Sequence, residues 1–130
     1  MAKQNITRVE KPWGHELIWA HTADYVGKIL HIKKGHQLSL QYHRQKVETI
    51  LLYSGKMDFV FDNEQGQLET IPLKAGEAHH IPTGKRHRMI ALEDCDVFEV
   101  STPQLDDVVR LEDGYGRAGT GLRLRPGQIG

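Results

Sequence analysis

Three polar side chains lie close together in an otherwise apolar segment. Residues 35–55 read GHQLSLQYHRQKVETILLYSG, and Gln41, His43 and Glu48 stand where a half-buried strand usually carries leucine or valine. Side chains two residues apart share one face of a strand, so Gln41 and His43 point the same way. We expect RQKV to form a hairpin turn that brings Glu48 opposite His43. Burying an amide, an imidazole and a carboxylate together is costly unless a ligand such as a metal cation satisfies them.

A second segment supplies a further ligand for such a cation. Residues 76–89 read GEAHHIPTGKRHRM, in which glycine and proline favour tight turns and His87 opens the next strand. The predicted metal ligands are Gln41, His43, Glu48 and His87. Two nitrogens and two oxygens suit a divalent metal ion, zinc first and otherwise manganese, iron, cobalt or nickel, and the set lacks the thiolates of structural zinc sites. Such a set leaves coordination positions open, which catalysis requires.

The elements that must position these ligands are short strands. Runs rich in valine, isoleucine, leucine, phenylalanine and tyrosine alternate with turn residues at close intervals, without a long helical period. The predicted strands are HELIWA, GKILHIKK, QLSLQYH, ETILLYS, KMDFVFD, QLETIPL, AHHIP, RMIAL and DVFEVST. They predict an all-β domain closed into a small barrel or jelly roll, because an open sheet would expose its edges. Within ETILLYS, Ile50 and Leu52 share the face of Glu48 and should fill the interior.

Length and charge narrow the kinds of partner. A chain of 130 residues predicts one domain with its own core. We expect the β-barrel, with an N-terminal strand arm, to span residues 1–117 and a loosely ordered tail rich in glycine and arginine to span residues 118–130. Basic and acidic residues are equal at 17 each and form no long block of one sign, which argues against nucleic acid and anionic membranes. A small molecule is the expected partner.

The sequence also predicts a compartment. Its start, MAKQNITRVEKPWG, lacks the apolar core of a signal peptide, and no apolar run approaches the ~20 residues of a membrane helix. We therefore expect a cytoplasmic protein. Cys95 is the single cysteine and cannot form an internal disulfide, so we interpret it as a structural residue.

Taken together, the two ligand segments resemble the two cupin motifs. Residues 35–55 match the first motif with Gln41 in place of its usual first histidine, and residues 76–87 match the second with glycine, proline, glycine and histidine in order. A Gln, His, Glu, His metal set is that of phosphomannose isomerases. The resemblance covers roughly residues 10–117, through KPWGHE, IPTGKRHRM and DDVVRLEDGYGR, and points to the phosphomannose isomerase domain of type II enzymes.

This resemblance implies a fold and an activity. The fold is a cupin, a double-stranded β-helix or jelly-roll barrel. The activity is a metal-dependent aldose–ketose isomerase of a sugar or sugar phosphate, most simply mannose 6-phosphate and fructose 6-phosphate, acting through an enediol. We expect a free-standing domain, because the sugar-nucleotide transferase domain that usually precedes this cupin is not in the sequence. Small cupins commonly pair through sheet edges, which implies a homodimer.

The resemblance also implies roles for residues outside the metal set. From VVRLEDGYGR it implies two catalytic residues: Asp113, ahead of Glu112, as the general base, and Arg110 as the group that orients the substrate. A phosphate group would need a cationic rim, for which the candidates are Lys46, Lys85, Arg86 and Arg117. Lys46 stands where the family commonly has arginine, which keeps the charge and loses the bidentate fork.

Two other functions are compatible with these motifs. Cupins that bind iron perform dioxygenation, and the fold by itself does not distinguish them from isomerases. A noncatalytic cupin that binds a sugar or an effector would keep the ligand site without turnover. Gln41 as a metal ligand and the segment VVRLEDGYGR favour the isomerase.

Overall fold

The computed structural model describes residues 3, 5–116 and 119–120. Arg117 and, apart from residues 119–120, the predicted tail at residues 118–130 lie outside this range. Within it the chain forms twelve strands: β1 Thr7–Lys11, β2 Gly14–His21, β3 Val26–Ile32, β4 Leu40–Tyr42, β5 Glu48–Ser54, β6 Lys56–Asp62, β7 Leu68–Lys74, β8 Ala78–Ile81, β9 His87–Ala91, β10 Cys95–Ser101, β11 Val109–Glu112 and β12 Gly119–Thr120.

These strands make two antiparallel sheets of six strands each. The first sheet has the order β1-β2-β3-β10-β5-β8, and the second has the order β12-β11-β4-β9-β6-β7. One apolar core draws on both sheets, with Leu30 and Ile50 from the first and Met57, Phe59 and Met89 from the second. The predicted all-β jelly roll is confirmed. Among the described residues, no helix is long and apolar enough to cross a membrane.

Alternation along single strands sets what faces the interior. In β5, Ile50 and Leu52 are fully buried below Glu48, as predicted. β9 repeats the pattern, with Met89 and Ala91 buried below His87. Each buried aliphatic side chain of this size contributes roughly 1.5–3 kcal/mol to folding. In both strands, buried apolar residues therefore follow one polar side chain on the same face. Their packing fixes the direction in which that polar side chain points.

The predicted hairpin between His43 and Glu48 is wrong. β4 pairs with β9 and β11, whereas β5 pairs with β10 and β8, so the connection crosses from one sheet to the other. The Asp107 side chain accepts hydrogen bonds from the backbone N–H groups of Arg44, Gln45 and Lys46. These bonds hold the connection as a loop capped by a distant carboxylate. Glu48 therefore approaches His43 across the interior of the barrel and not along a ladder.

Candidate metal centre and adjoining cavity

Three side chains converge from both sheets at one point inside the barrel. His43 follows β4, Glu48 opens β5 and His87 opens β9, and their exposed fractions are 2%, 3% and 1%. Glu48 Oε1 lies 3.4 Å from His43 Nε2 and 3.3 Å from His87 Nε2. The potential ligand atoms of the three residues all lie within 4.8 Å of one another. Three of the four predicted metal ligands thus meet in a buried cluster.

Backbone carbonyl groups fix how the two imidazoles face this cluster. The Nδ1 of His43 contacts the carbonyl oxygen of Asp107 at 2.5 Å, and the Nδ1 of His87 contacts that of Lys85 at 3.0 Å. A carbonyl oxygen only accepts, so each Nδ1 carries the proton and donates it. Each Nε2 then turns a lone pair toward Glu48. This is how metal-binding histidines are normally oriented.

The donor set fits a divalent metal ion. Both Nε2 atoms are buried and have no hydrogen-bond partner among the described residues. A buried polar atom left in this way costs about 1–3 kcal/mol, which a cation would remove. Ligands bound at about 2.0–2.2 Å in tetrahedral directions are about 3.3–3.6 Å apart, which is the spacing between Glu48 Oε1 and the two imidazoles. His43, Glu48 and His87 could therefore bind a metal.

Gln41, the fourth predicted ligand, lies beside this cluster. It faces His87 directly in the register of β4 with β9 and lines the same cavity as His43. Its Oε1 accepts a hydrogen bond of 2.6 Å from the Ser39 hydroxyl. The position agrees with the predicted ligand set, and its coordination of a metal stays a prediction.

Lys46 lies inside the barrel wall and not on a cationic rim as predicted. Its ammonium group is 3.0 Å from Glu48 Oε2 and 3.3 Å from Glu99 Oε2, and only 5% of the residue is exposed. Burial works to lower the pKa of Lys46, but the charges of Glu99 and Glu48 outweigh it and raise that pKa above its usual range. One buried cation therefore serves two buried carboxylates.

The two carboxylates differ in protonation behaviour. Burial works to raise the pKa of Glu48, but the positive charge of Lys46, 3.0 Å from Oε2, holds it well below its usual value. For Glu99, burial and the negative charge of Glu48 raise the pKa, and Lys46 offsets this only in part. Glu48 is thus held in the charged form that binds metals.

The remaining predicted phosphate contacts lie away from the cluster. Because His87 points inward, its neighbour Arg86 points outward. The Arg86 guanidinium binds Asp62, with Nη2 to Oδ1 at 2.7 Å and Nε to Oδ1 at 3.0 Å. Lys85 is exposed, and its contribution to the centre is the carbonyl group that accepts from His87. Among the described residues, neither side chain lines the cavity beside the centre.

The two predicted catalytic residues differ in their position relative to the cavity. Arg110 lies on β11 opposite Gln41, is 5% exposed and lines the cavity. Asp113 follows the end of β11, is half-buried and is not among the described residues that line the cavity. Arg110 is therefore positioned to contact a ligand bound next to the metal centre.

The cavity beside the centre has a volume of about 300 Å³ and a strongly charged wall. Besides Gln41, His43, Lys46 and Arg110, it is lined by Lys11, Glu16, Lys28 and Glu99. Glu16 Oε1 lies 3.3 Å from Lys28 Nζ and 3.7 Å from Lys11 Nζ. A buried wall with this many charges suits a ligand rich in hydroxyl or anionic groups.

Sequence reasoning missed Glu16, Lys28 and Glu99, although a signal was present. Lys28 shares the inward face of β3 with Leu30 and Ile32, and Glu99 shares that of β10 with Val97. A charged residue in step with buried aliphatic ones is the same signal that singled out Glu48. Asp107, which holds the loop after His43, had no comparable signal because its contacts depend on the folded loop.

Comparison with known proteins agrees with this geometry. Residues 1–113 match the family described as mannose-6-phosphate isomerase C-terminal. The chain belongs to this family. It is a cupin, as the two ligand motifs predicted, and its two sheets agree with that fold.

Similar proteins include two polysaccharide biosynthesis proteins. The chain is 32% identical to the alginate biosynthesis protein AlgA of Pseudomonas aeruginosa over 88% of its own length and 24% of AlgA. It is 31% identical to the xanthan biosynthesis protein XanB of Xanthomonas campestris pv. campestris over 85% of its own length and 24% of XanB. The chain thus spans about a quarter of the length of each of these relatives.

A solved structure confirms the fold. Oxalate decarboxylase from Bacillus subtilis superposes with a TM-score of 0.71 at 15% identity, over 82% of this chain and 30% of that one. At this level of identity the likeness shows the cupin fold alone.

Proposed function

We propose that this cupin is a metal-dependent aldose–ketose isomerase of a sugar or sugar phosphate. The observation that carries the proposal is the pair of buried imidazole Nε2 atoms that face Glu48 beside a charged cavity. Membership of the mannose-6-phosphate isomerase C-terminal family supports this reaction class. The same kinship favours mannose 6-phosphate and fructose 6-phosphate as the first substrates to test.

The reaction needs a cation and groups that hold an open-chain sugar. His43, Glu48 and His87, with Gln41 as the predicted fourth ligand, would hold a divalent metal ion, zinc being the first candidate. When bound there, the metal supplies Lewis-acid stabilisation of negative charge on a substrate oxygen. Arg110 offers a buried guanidinium in the cavity wall, suited to orienting a hydroxyl or phosphate group. A cavity of about 300 Å³ is at the small end of ligand pockets, as a monosaccharide requires.

The test is turnover by protein stripped of metal and then reloaded. Zinc, manganese, cobalt, nickel and ferrous iron would each be added, and mannose 6-phosphate would be compared with free mannose, lyxose and other aldoses. His43→Ala is the matched variant, since it removes one ligand and leaves the remainder of the cavity lining. We expect metal-dependent interconversion that His43→Ala abolishes.

Two results would refute the isomerase. Tight metal binding without turnover of any sugar would favour a noncatalytic sugar-binding cupin or, if oxygen is consumed with iron bound, a dioxygenase. Failure of the protein to bind any of the five metals would remove the basis of the proposal.

A further inference from the structure

Glu99 is a buried carboxylate that the metal centre does not use. It lies on β10, in the middle of the first sheet between β3 and β5, and is 5% exposed. It shares its inward face with Val97, so its side chain enters the cavity that also borders His43. A valine or leucine would fit this face of the strand at no electrostatic cost, whereas an isolated buried carboxylate is expensive.

The contacts of Glu99 differ from those of the other buried carboxylates. Glu48 has one oxygen facing two imidazoles and the other facing Lys46. Glu16 lies between two lysine ammonium groups, Lys28 and Lys11. Glu99 shares the ammonium of Lys46 at 3.3 Å and faces no imidazole and no second lysine in the ion pairs of the described residues. Its Oε2, like that of Glu48, has no hydrogen-bond partner in the part of the chain that the structure describes.

Lys46 also fixes where Glu99 lies relative to the metal centre. The same Nζ contacts Oε2 of Glu48 and Oε2 of Glu99, so one ammonium group separates the ligand carboxylate from the second one. Once Glu48 is engaged as a metal ligand, Glu99 is the carboxylate next to it across Lys46. Two other carboxylates line the cavity: Glu16 is paired with Lys28 and Lys11, and Asp106 is exposed to water, which makes it a weaker base. Asp113, the acid predicted from the sequence, has no such position on the cavity wall.

We infer that Glu99 is the catalytic base that moves the carbon-bound proton; this rests on the proposed isomerase function. In the aldose the Glu99 carboxylate takes the proton from C2. The C2–H electron pair becomes the C1–C2 double bond, and the carbonyl pair moves onto O1, which receives the proton of the O2 hydroxyl group. The resulting carboxylic acid then returns its proton to C1 as the pair on O2 forms the C2 carbonyl of the ketose. Atoms and charge balance, and Glu99 ends as the carboxylate.

The surroundings of Glu99 suit both halves of this exchange. Burial raises the pKa of Glu99, and a base is most efficient when its pKa approaches the working pH. Lys46 beside it keeps the charged form accessible. A carboxylate at the surface would be a weaker base because water would stabilise its charge.

The experiment compares proton exchange with metal content in the same protein samples. Metal-loaded wild type, Glu99→Gln and Glu99→Asp would be incubated with the ketose in deuterium oxide, and loss of the C1 proton signal followed by NMR. Bound metal would be measured by elemental analysis and folding by thermal unfolding. Glu69→Gln on the exposed face of β7 is the control for a strand glutamate outside the cavity.

We expect Glu99→Gln to exchange about 10²- to 10⁴-fold more slowly than wild type, with unchanged metal content. Glu99→Asp keeps the carboxylate on a shorter side chain, so its exchange rate should lie between those of wild type and Glu99→Gln. If Glu99→Gln does not fold, the exchange rate of Glu99→Asp is the test. Glu69→Gln should match wild type.

Several results would overturn the inference. Wild-type exchange in Glu99→Gln would exclude Glu99 as the base, and wild-type exchange in Glu99→Asp would contradict a role that depends on the reach of its carboxylate. Loss of metal together with loss of exchange in Glu99→Gln would assign it to holding the centre. Loss of exchange in Asp113→Asn with exchange retained in Glu99→Gln would place the base after β11. No exchange by wild type with any sugar would refute the proposed function itself, and the inference with it.

Discussion

Replacing Lys46 by methionine should destabilise the metal-free protein strongly. Methionine is similar in length and removes the ammonium group that contacts both Glu48 and Glu99. Both carboxylates are at least 95% buried, so removing their shared cation leaves two uncompensated charges in the interior. Breaking a buried ion pair in this way costs about 3–5 kcal/mol, a large share of the roughly 5–15 kcal/mol that stabilises a typical domain.

The pH dependence of this loss has a definite sign. Lys46 holds the folded-state pKa of Glu48 below its ordinary 4.5, so the stabilisation is present above that value and is lost as pH falls through the lower folded value. The pKa of Lys46 is raised above its ordinary 10.5, so its contribution is complete below that value and is lost only as pH rises through the higher folded one. The difference between wild type and Lys46→Met should therefore be largest between about pH 5 and pH 10.

Urea denaturation of both proteins without metal, at pH 7 and at pH 3, measures this difference. Lys56→Met is the matched control, because Lys56 forms an exposed ion pair with Glu93 at 3.8 Å that should matter little. A loss below about 1 kcal/mol in Lys46→Met at pH 7 would show that the buried pair contributes no more than a surface pair, which would contradict the prediction. An equal loss at pH 3 would refute the electrostatic cause.

Three further predictions concern the metal, the loop and the assembly. Zinc at 100 times its Kd should stabilise wild type by about 2.7 kcal/mol and so raise its melting temperature. The melting temperature of His87→Ala should not change. Equal shifts in both proteins would place the metal elsewhere. Asp107→Ala should lose about 1–3 kcal/mol in urea denaturation, since three backbone N–H groups lose their acceptor; full stability would mean that water replaces the carboxylate. The predicted homodimer should give a light-scattering mass near twice 14.8 kDa, and a monomer mass at high concentration would contradict it.

The sequence predicted best what depends on a single strand. The alternation of Glu48, Ile50 and Leu52 specifies an inward face without reference to other strands, and the structure buries all three. The pairing of β4 with β9 was not predictable in the same way, because alternation says which face is inward and not which strand lies alongside. The hairpin prediction failed for this reason. β11 was missed because its four residues include Arg110 and Glu112, which interrupt an apolar pattern.

Residue type and spacing predicted the part of the site that single strands position. His43, Glu48 and His87 meet as expected, since each follows or opens a strand whose register the core sets. Lys46 was expected on a cationic rim, and its burial beside Glu99 depends on a strand about fifty residues later. Partners so distant in sequence leave no local pattern.

The contact between His43 and Asp107 bears on how the protein is made. The carbonyl group that orients this imidazole belongs to a residue 64 positions later in the chain. During synthesis, the ribosome must therefore release residue 107 before His43 is held in its metal-binding orientation. The emerging chain contains both cupin motifs well before that moment and still has no finished centre. The orientation of one of the three candidate ligands therefore depends on a segment that follows both motifs in the chain.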